Sequence, residues 1–251
     1  MATRLDAINF NIKHKDKLLL NNASLSLKKG EITALVGNSG SGKSIFSSAI
    51  MGLCANNLSV SGELLIDNAK PVSQIKYFCS IMQNPRTAFN PLFSIRNCIV
   101  ETMKARAVYN KYSNDLIVSE LLKLGLEKST LDLYPHQLSG GMLQRVMIAI
   151  ALLSKADFLI ADEPTSDLDL LSQKAVLDIL ENIKESLGIL LITHDFGVVA
   201  RLAEGVLVMS EGEIVENKKV RDIFENPSSK TAKELISAHL KLYGDDFVRA
   251  N

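Results

Sequence analysis

Eight consecutive residues, Gly37-Asn38-Ser39-Gly40-Ser41-Gly42-Lys43-Ser44, fit the spacing G-x-x-x-x-G-K-[ST] without deviation. The chemistry such a stretch performs is phosphate binding. Its glycines let the backbone turn with the N–H groups facing inward, an anion nest at the start of a helix. Lys43 would place a point charge on the β- and γ-phosphates of a nucleoside triphosphate, and the Ser44 hydroxyl would ligate Mg²⁺. With glycine near 7% of residues, an accidental match arises in roughly one random chain of this size in a hundred. A second stretch supplies complementary groups. Phe158-Leu159-Ile160-Ala161-Asp162 is an apolar run ending in a carboxylate, with Glu163 directly after it. Asp162 would hold the Mg²⁺ shell through water, and Glu163 would polarise the attacking water as general base. Alone, an acidic strand end is a weak signal; downstream of a phosphate loop it is strong.

Elements must bring these groups together. Ile32–Val36 reads as a β-rich strand running into the Gly/Ser loop, and Lys43–Met51 as the helix that follows. Residues 158–161 and 189–193 read as buried parallel strands whose carboxyl ends carry the chemistry, with a helix over residues 170–187 between them. Residues 206–210 and 213–216, joined through Glu211-Gly212, predict a hairpin on a sheet edge. From residue 84 to 153 the pattern changes: residues 115–124 and 142–153 are helical, Gly125, Pro135 and the Gly140-Gly141 pair are breakers, and no strand is expected. The expected fold is α/β, a P-loop NTPase with a RecA-like core. It has a mostly parallel sheet, an antiparallel β edge and an α-helical subdomain inserted at about residues 84–153. One domain spans residues 1–251, with a helical tail near residues 231–242.

Composition narrows the function. At 251 residues and 47% hydrophobic, the chain is long enough for a large core. Lys+Arg and Asp+Glu balance at 28 each, which disfavours a general nucleic-acid binder or a protein that docks electrostatically on anionic lipid. Cys54, Cys79 and Cys98 are odd in number and far apart, so they read as small buried residues in a reducing compartment. The N-terminal residues form no apolar signal segment, and no apolar run approaches the roughly 20 residues that cross a bilayer. The chain is expected to be soluble, and to work at a membrane only if another protein holds it there.

A P-loop domain could be a kinase, a GTPase or a motor, and further motifs decide. Leu138-Ser139-Gly140-Gly141-Met142 lies upstream of the Asp162 strand at the start of a helix running through Gln144-Arg145. It resembles the signature loop of the ATP-binding cassette (ABC) family. Gln83 after residues 78–82, Ser166-Asp167-Leu168-Asp169 past Glu163, and His194 after residues 189–193 complete that family's motifs in order. The resemblance implies that ATP is bound and hydrolysed. It also implies that Ser139, Gly140 and Gly141 form a second anion-binding helix end, which covers the γ-phosphate held by a partner subunit. His194 would then touch the γ-phosphate, Gln83 would reach Mg²⁺ and the water, and Asp167 and Asp169 would lie on the subunit seam. For the two aspartates, capping of the helix after residue 169 is an equally good local reading. Two departures stand out. Met142 replaces the family's usual Gln, and no aromatic residue follows Phe10 before Gly37, where adenine is commonly stacked; His14 either stacks or sits exposed.

One cassette with no coiled coil and no membrane span resembles the layout of a bacterial importer whose permeases and solute-binding protein are separate chains. Met82-Gln83-Asn84-Pro85-Arg86-Thr87-Ala88-Phe89-Asn90-Pro91 is similar to the peptide/nickel importer branch. There the surface after Gln83 receives a permease helix, so Phe89, Pro91, Leu92 and Phe93 are expected anchors or else core residues. The stretch from Ser139 to Arg145 and residues 237–244 resemble the nickel importers of that branch, which implies nickel as cargo; the alternatives are oligopeptide, another metal chelate, or a non-transport ABC ATPase. The branch implies a second, related ATP-binding subunit in a heterodimer, and a place on the cytoplasmic side of the inner membrane.

Overall fold

Alternation of side chains sorts the apolar runs of the sequence into one twisted sheet with two covered faces. The computed structural model describes residues 2–243. In chain order the elements are β1 (Arg4–His14), β2 (Lys17–Lys28), β3 (Ile32–Val36), α1 (Lys43–Met51), β4 (Ser59–Ile66) and β5 (Phe78–Ile81). Then come α2 (Ile95–Ala105), α3 (Ser113–Lys123), α4 (Gly140–Leu153), β6 (Phe158–Asp162), α5 (Leu170–Ile183) and β7 (Gly188–Ile192). The chain closes with α6 (Phe196–Leu202), β8 (Gly205–Ser210), β9 (Glu213–Lys219), α7 (Val220–Glu225) and α8 (Lys230–Tyr243). The main sheet has the order β5-β6-β7-β3-β8-β9. All its pairings are parallel except β8 with β9, an antiparallel edge hairpin.

Period-two alternation then divides the core. Leu159, Ala161, Ile189 and Leu191 point to a face covered by α4, α5 and the helices before them. Phe158, Ile160, Leu190 and Ile192 point to the other face, where α1 packs with a second, three-stranded antiparallel sheet of order β2-β1-β4. α6, α7 and α8 bury Phe196, Ile223, Ala232 and Ile236 beside β3 and β8.

That second sheet is absent from the sequence reading. Its strands are interrupted by register shifts, with Asn9 (φ 52°) and Asn22 (φ 48°) in left-handed backbone, so the alternation that marks a strand is broken. Between β5 and β6, residues 84–153 contain helices and no strand. Arg106, just past α2, donates to the carbonyls of Ile75, Lys76 and Phe78, tying this segment to the strand that leads to Gln83. Of the cysteines, Cys98 is buried but Cys54 and Cys79 are only half-buried, and all three are free. Residues 237–243 of the tail lie on α8; Gly244 lies outside the described residues. No helix among the described residues is long and apolar enough to cross a membrane.

Candidate functional site

The carboxyl ends of β3, β6 and β7 lie side by side, and the loops leaving them meet over one cavity. Ligands of open α/β sheets bind at this end because successive loops diverge there. The cavity measures about 550 Å³ and is lined by Gly37, Ser39, Gly40, Gly42, Lys43, Ser44, Gln83, Asp162, Glu163 and His194, together with Leu19 and Ile45.

The loop from Gly37 to Ser44 is built to leave amides free. Gly42 occupies the N-cap of α1 in left-handed backbone (φ 111°), with no side chain capping the helix. By contrast Ser139, Asp169 and Asp195 cap α4, α5 and α6. The uncapped N–H groups of α1 therefore remain available to an anion. Gly37 is required by space, since a Cβ there would lie 2.2 Å from the Met209 carbonyl oxygen. Asn38 and Ser41 shape the loop: the Ser41 amide donates to Asn38 O at 3.1 Å, and Ser41 O accepts from Gly212 at 2.9 Å. Lys43 Nζ spans the loop, donating to Gly37 O at 2.8 Å and Asn38 O at 3.0 Å. Burial lowers its pKa, against the pull of Glu163 and Asp162. An anion entering the nest would meet a cation already held at its rim.

The acidic side opposes it. Ser44 Oγ lies 3.4 Å from Asp162 Oδ2. Burial and the neighbouring charge of Glu163 raise the Asp162 pKa, while Ser44 and Lys43 hold it down. Glu163 sits in left-handed backbone (φ 48°), a conformation that costs a non-glycine residue about 1 kcal/mol or more. The strain is held by its amide, which donates to Ile192 O at 2.8 Å. Its side chain accepts from Ser166 Oγ at 3.2 Å and lies 2.8 Å from His194 Nδ1. Opposite a carboxylate the Nδ1–H is the donor, and the exposed His194 ring lines the cavity.

Ser139, Gly140 and Gly141 are not among the residues that line this cavity. Ser139 Oγ caps α4 by accepting from the Met142 amide at 3.2 Å. Gly141 packs on α5, where a Cβ would come 2.8 Å from Ser172. Asp169 Oδ1 accepts from the amides of Leu171 and Ser172, capping α5, while the preceding Asp167 stands in left-handed backbone at φ 61°. Just beyond, Leu170 and Leu171 are apolar residues exposed at 82% and 83%.

The family model described as ABC transporter matches residues 20–166. The chain belongs to the ABC transporter family. Its curated relatives include several proteins described as nickel import ATP-binding protein NikD. That of Brucella abortus is 46% identical over 93% of this chain and 92% of its own length. That of Rhodospirillum rubrum is 45% identical over 90% of each. That of Pseudomonas putida is 40% identical over 94% of this chain and 95% of its own length. Among solved structures, an ATP-binding subunit of an ABC transporter superposes with a TM-score of 0.76 at 23% identity, covering 94% of this chain and 99% of that one. A bacterial Atm1-family exporter with ATP bound superposes at 0.75 and 21% identity, covering 94% of this chain and 42% of that one. These two likenesses concern the fold of the ABC ATPase.

Two alternatives left open by the sequence narrow. Phe89 is buried at 7% exposure, the core alternative, and Phe93 packs half-buried on the core. Leu92, at 81% exposure, and Pro91 are the solvent-facing apolar residues of that loop. His14 is not among the residues lining the cavity over the phosphate loop, whereas Leu19 on β2 is. No sequence signal marked Leu19, because only the pairing of β2 brings it over the loop after β3.

Proposed function

We propose that this ABC ATPase is the energising subunit of a nickel importer, binding ATP with Mg²⁺ and hydrolysing it on the cytoplasmic side of the inner membrane. The observation that carries the reading is the meeting of the phosphate loop, Asp162, Glu163, Gln83 and His194 in one cavity. The phosphates would lie on the amides at the N-terminus of α1. Lys43 would turn from the carbonyls of Gly37 and Asn38 to the β- and γ-phosphate oxygens. Ser44, Gln83 and Asp162 offer hard oxygen donors, with Ser44 Oγ and Asp162 Oδ2 3.4 Å apart, a set suited to Mg²⁺. The bound ion would neutralise charge on the β- and γ-phosphate oxygens. Glu163 would take a proton from water as the water oxygen attacks the γ-phosphorus and the bond to the β-phosphate oxygen breaks, releasing ADP. His194 would hold the Glu163 carboxylate through Nδ1–H and face the γ-phosphate with Nε2.

Closing requires a second chain. Ser139, Gly140 and Gly141 stand outside the cavity, which favours their covering the nucleotide of a partner, a related ATP-binding subunit in a heterodimer. The exposed Leu170 and Leu171 next to the Asp167–Asp169 loop suit the seam. Residues 84–153 act as a helical subdomain that moves against the core. The permeases would dock beside Leu92, where Met82, Ala88, Phe89, Cys98 and Met147 line a second cavity of about 260 Å³. A solute-binding protein would deliver cargo from the far side. Nickel rests on the relatives' descriptions; oligopeptide is the alternative cargo. A strain lacking this chain should regain uptake of radioactive nickel with the wild-type gene and not with Lys43→Ala, which should lose ATP binding. Restored peptide uptake without nickel uptake would reassign the cargo, and unchanged ATP affinity in Lys43→Ala would refute the site.

A further inference from the structure

Gln144 differs from Arg145, the other polar residue of α4, whose guanidinium donates to the carbonyls of Gly141, Leu124 and Gly125. Gln144 is 0% exposed, and neither its amide oxygen nor its amide nitrogen has a hydrogen-bond partner among the described residues. A buried amide normally finds partners, because leaving it unpaired forfeits hydration with nothing in exchange. Its position on the helix indicates what lies nearest. Gly140 and Gly141 are one turn earlier on the same helix face. A Cβ at Gly140 would come 3.1 Å from Leu168 Cδ2, and one at Gly141 2.8 Å from Ser172. This face of α4 therefore abuts the 166–169 loop and the first turn of α5, and a helical side chain leans back toward the preceding turn. The loop is strained, with Glu163 at its entry and Asp167 within it in left-handed backbone (φ 48° and 61°). Part of its backbone is already served by another glutamine: Gln173 Nε2 donates to Thr165 O at 3.2 Å and to Leu168 O at 3.1 Å.

Resting on the reading of this chain as an ATPase that closes in pairs, we propose that Gln144 is a positioning residue that ties the signature helix to the 166–169 loop in the ATP-closed state. In the single subunit its amide is buried without a partner among the described residues. On closure the strained loop shifts and its backbone pairs with that amide, so the relief of an unsatisfied group favours the closed state. The link joins the end of α4 that covers one nucleotide to the loop that follows Glu163 and serves the other. Each site of the pair then senses the other through one side chain.

Gln144→Met keeps the shape and removes both polar atoms, and Gln144→Leu repeats the change with a second side chain. The nucleotide-free chain should melt about 2–4 °C higher, as expected when a buried unpaired amide is removed from a chain of this size. In the importer assembled with its companion ATPase and permeases, kcat for ATP should fall about tenfold while KM is unchanged, because the contact forms after ATP is bound. A lower or unchanged melting temperature would mean that the amide is satisfied in the free subunit, and would overturn the proposal. So would a raised melting temperature with full kcat. A wild-type assembly that hydrolyses no ATP would refute the functional reading itself, whereas normal wild-type turnover matched by both variants would refute the role of Gln144 alone.

Discussion

Glu163→Gln and His194→Ala, made singly and together, test whether the two side chains act as one unit. His194 Nδ1 lies 2.8 Å from Glu163 Oε1, and Ser166 supports the other carboxylate oxygen at 3.2 Å. A positioned general base contributes about 10²–10⁴ in rate, or roughly 3–5 kcal/mol, and that is the expected loss in Glu163→Gln. A hydrogen bond to a charged group contributes about 1.5–3 kcal/mol, so His194→Ala should lose about 10–150-fold. If the histidine works through the carboxylate, the double variant should be no slower than Glu163→Gln alone. Independent action would instead multiply the losses to about 10³ or more. The assay is phosphate release by the assembled transporter at saturating ATP and Mg²⁺, with nucleotide binding followed separately. Binding should persist in all three variants, because Lys43 and the amides of α1 are untouched. Multiplicative losses would refute the coupling, and normal turnover in Glu163→Gln would remove that residue as the base.

Other regions yield independent tests. Glu216 is buried beside Lys218 Nζ at 2.8 Å and accepts from the amides of Ser228 at 2.7 Å and Ser229 at 2.8 Å. Burial pushes its pKa up, but these bonds prevail and hold it at about 2, down from 4.5. The stabilisation is fully present above pH 4.5 and is lost as pH falls toward 2, so Glu216→Gln should cost about 3 kcal/mol at neutral pH and flatten the acid limb of urea-unfolding stability. Equal stability of the two proteins at pH 7 would contradict this. In the loop after Gln83, Phe89→Ser should lose about 3–5 kcal/mol of folding stability, as a core truncation does. Leu92→Ser should melt within about 0.5 kcal/mol of wild type yet lower cargo uptake per ATP hydrolysed. Unimpaired uptake in Leu92→Ser would place the permease contact elsewhere.

The phosphate loop, the Asp162 strand and the helices α1, α4 and α5 were legible because their signals are local. A glycine spacing, an apolar run of strand length and a 3.6-residue period each lie within one short window. The three-stranded sheet was not, since Asn9 and Asn22 bulge its strands and no window shows clean alternation. Burial of Phe89, the approach of Leu19 to the cavity over the phosphate loop and the unpaired amide of Gln144 depend on elements far apart in the chain. Spacing likewise names Glu163 and His194 as candidates but says nothing of the left-handed backbone that aims one at the other. The chemistry of this ABC ATPase is written in short motifs because phosphate and water are met by a few adjacent groups. Which groups face the cavity, which cap a helix and which are locked in the core was decided by packing, where the competing demands of distant segments are settled together.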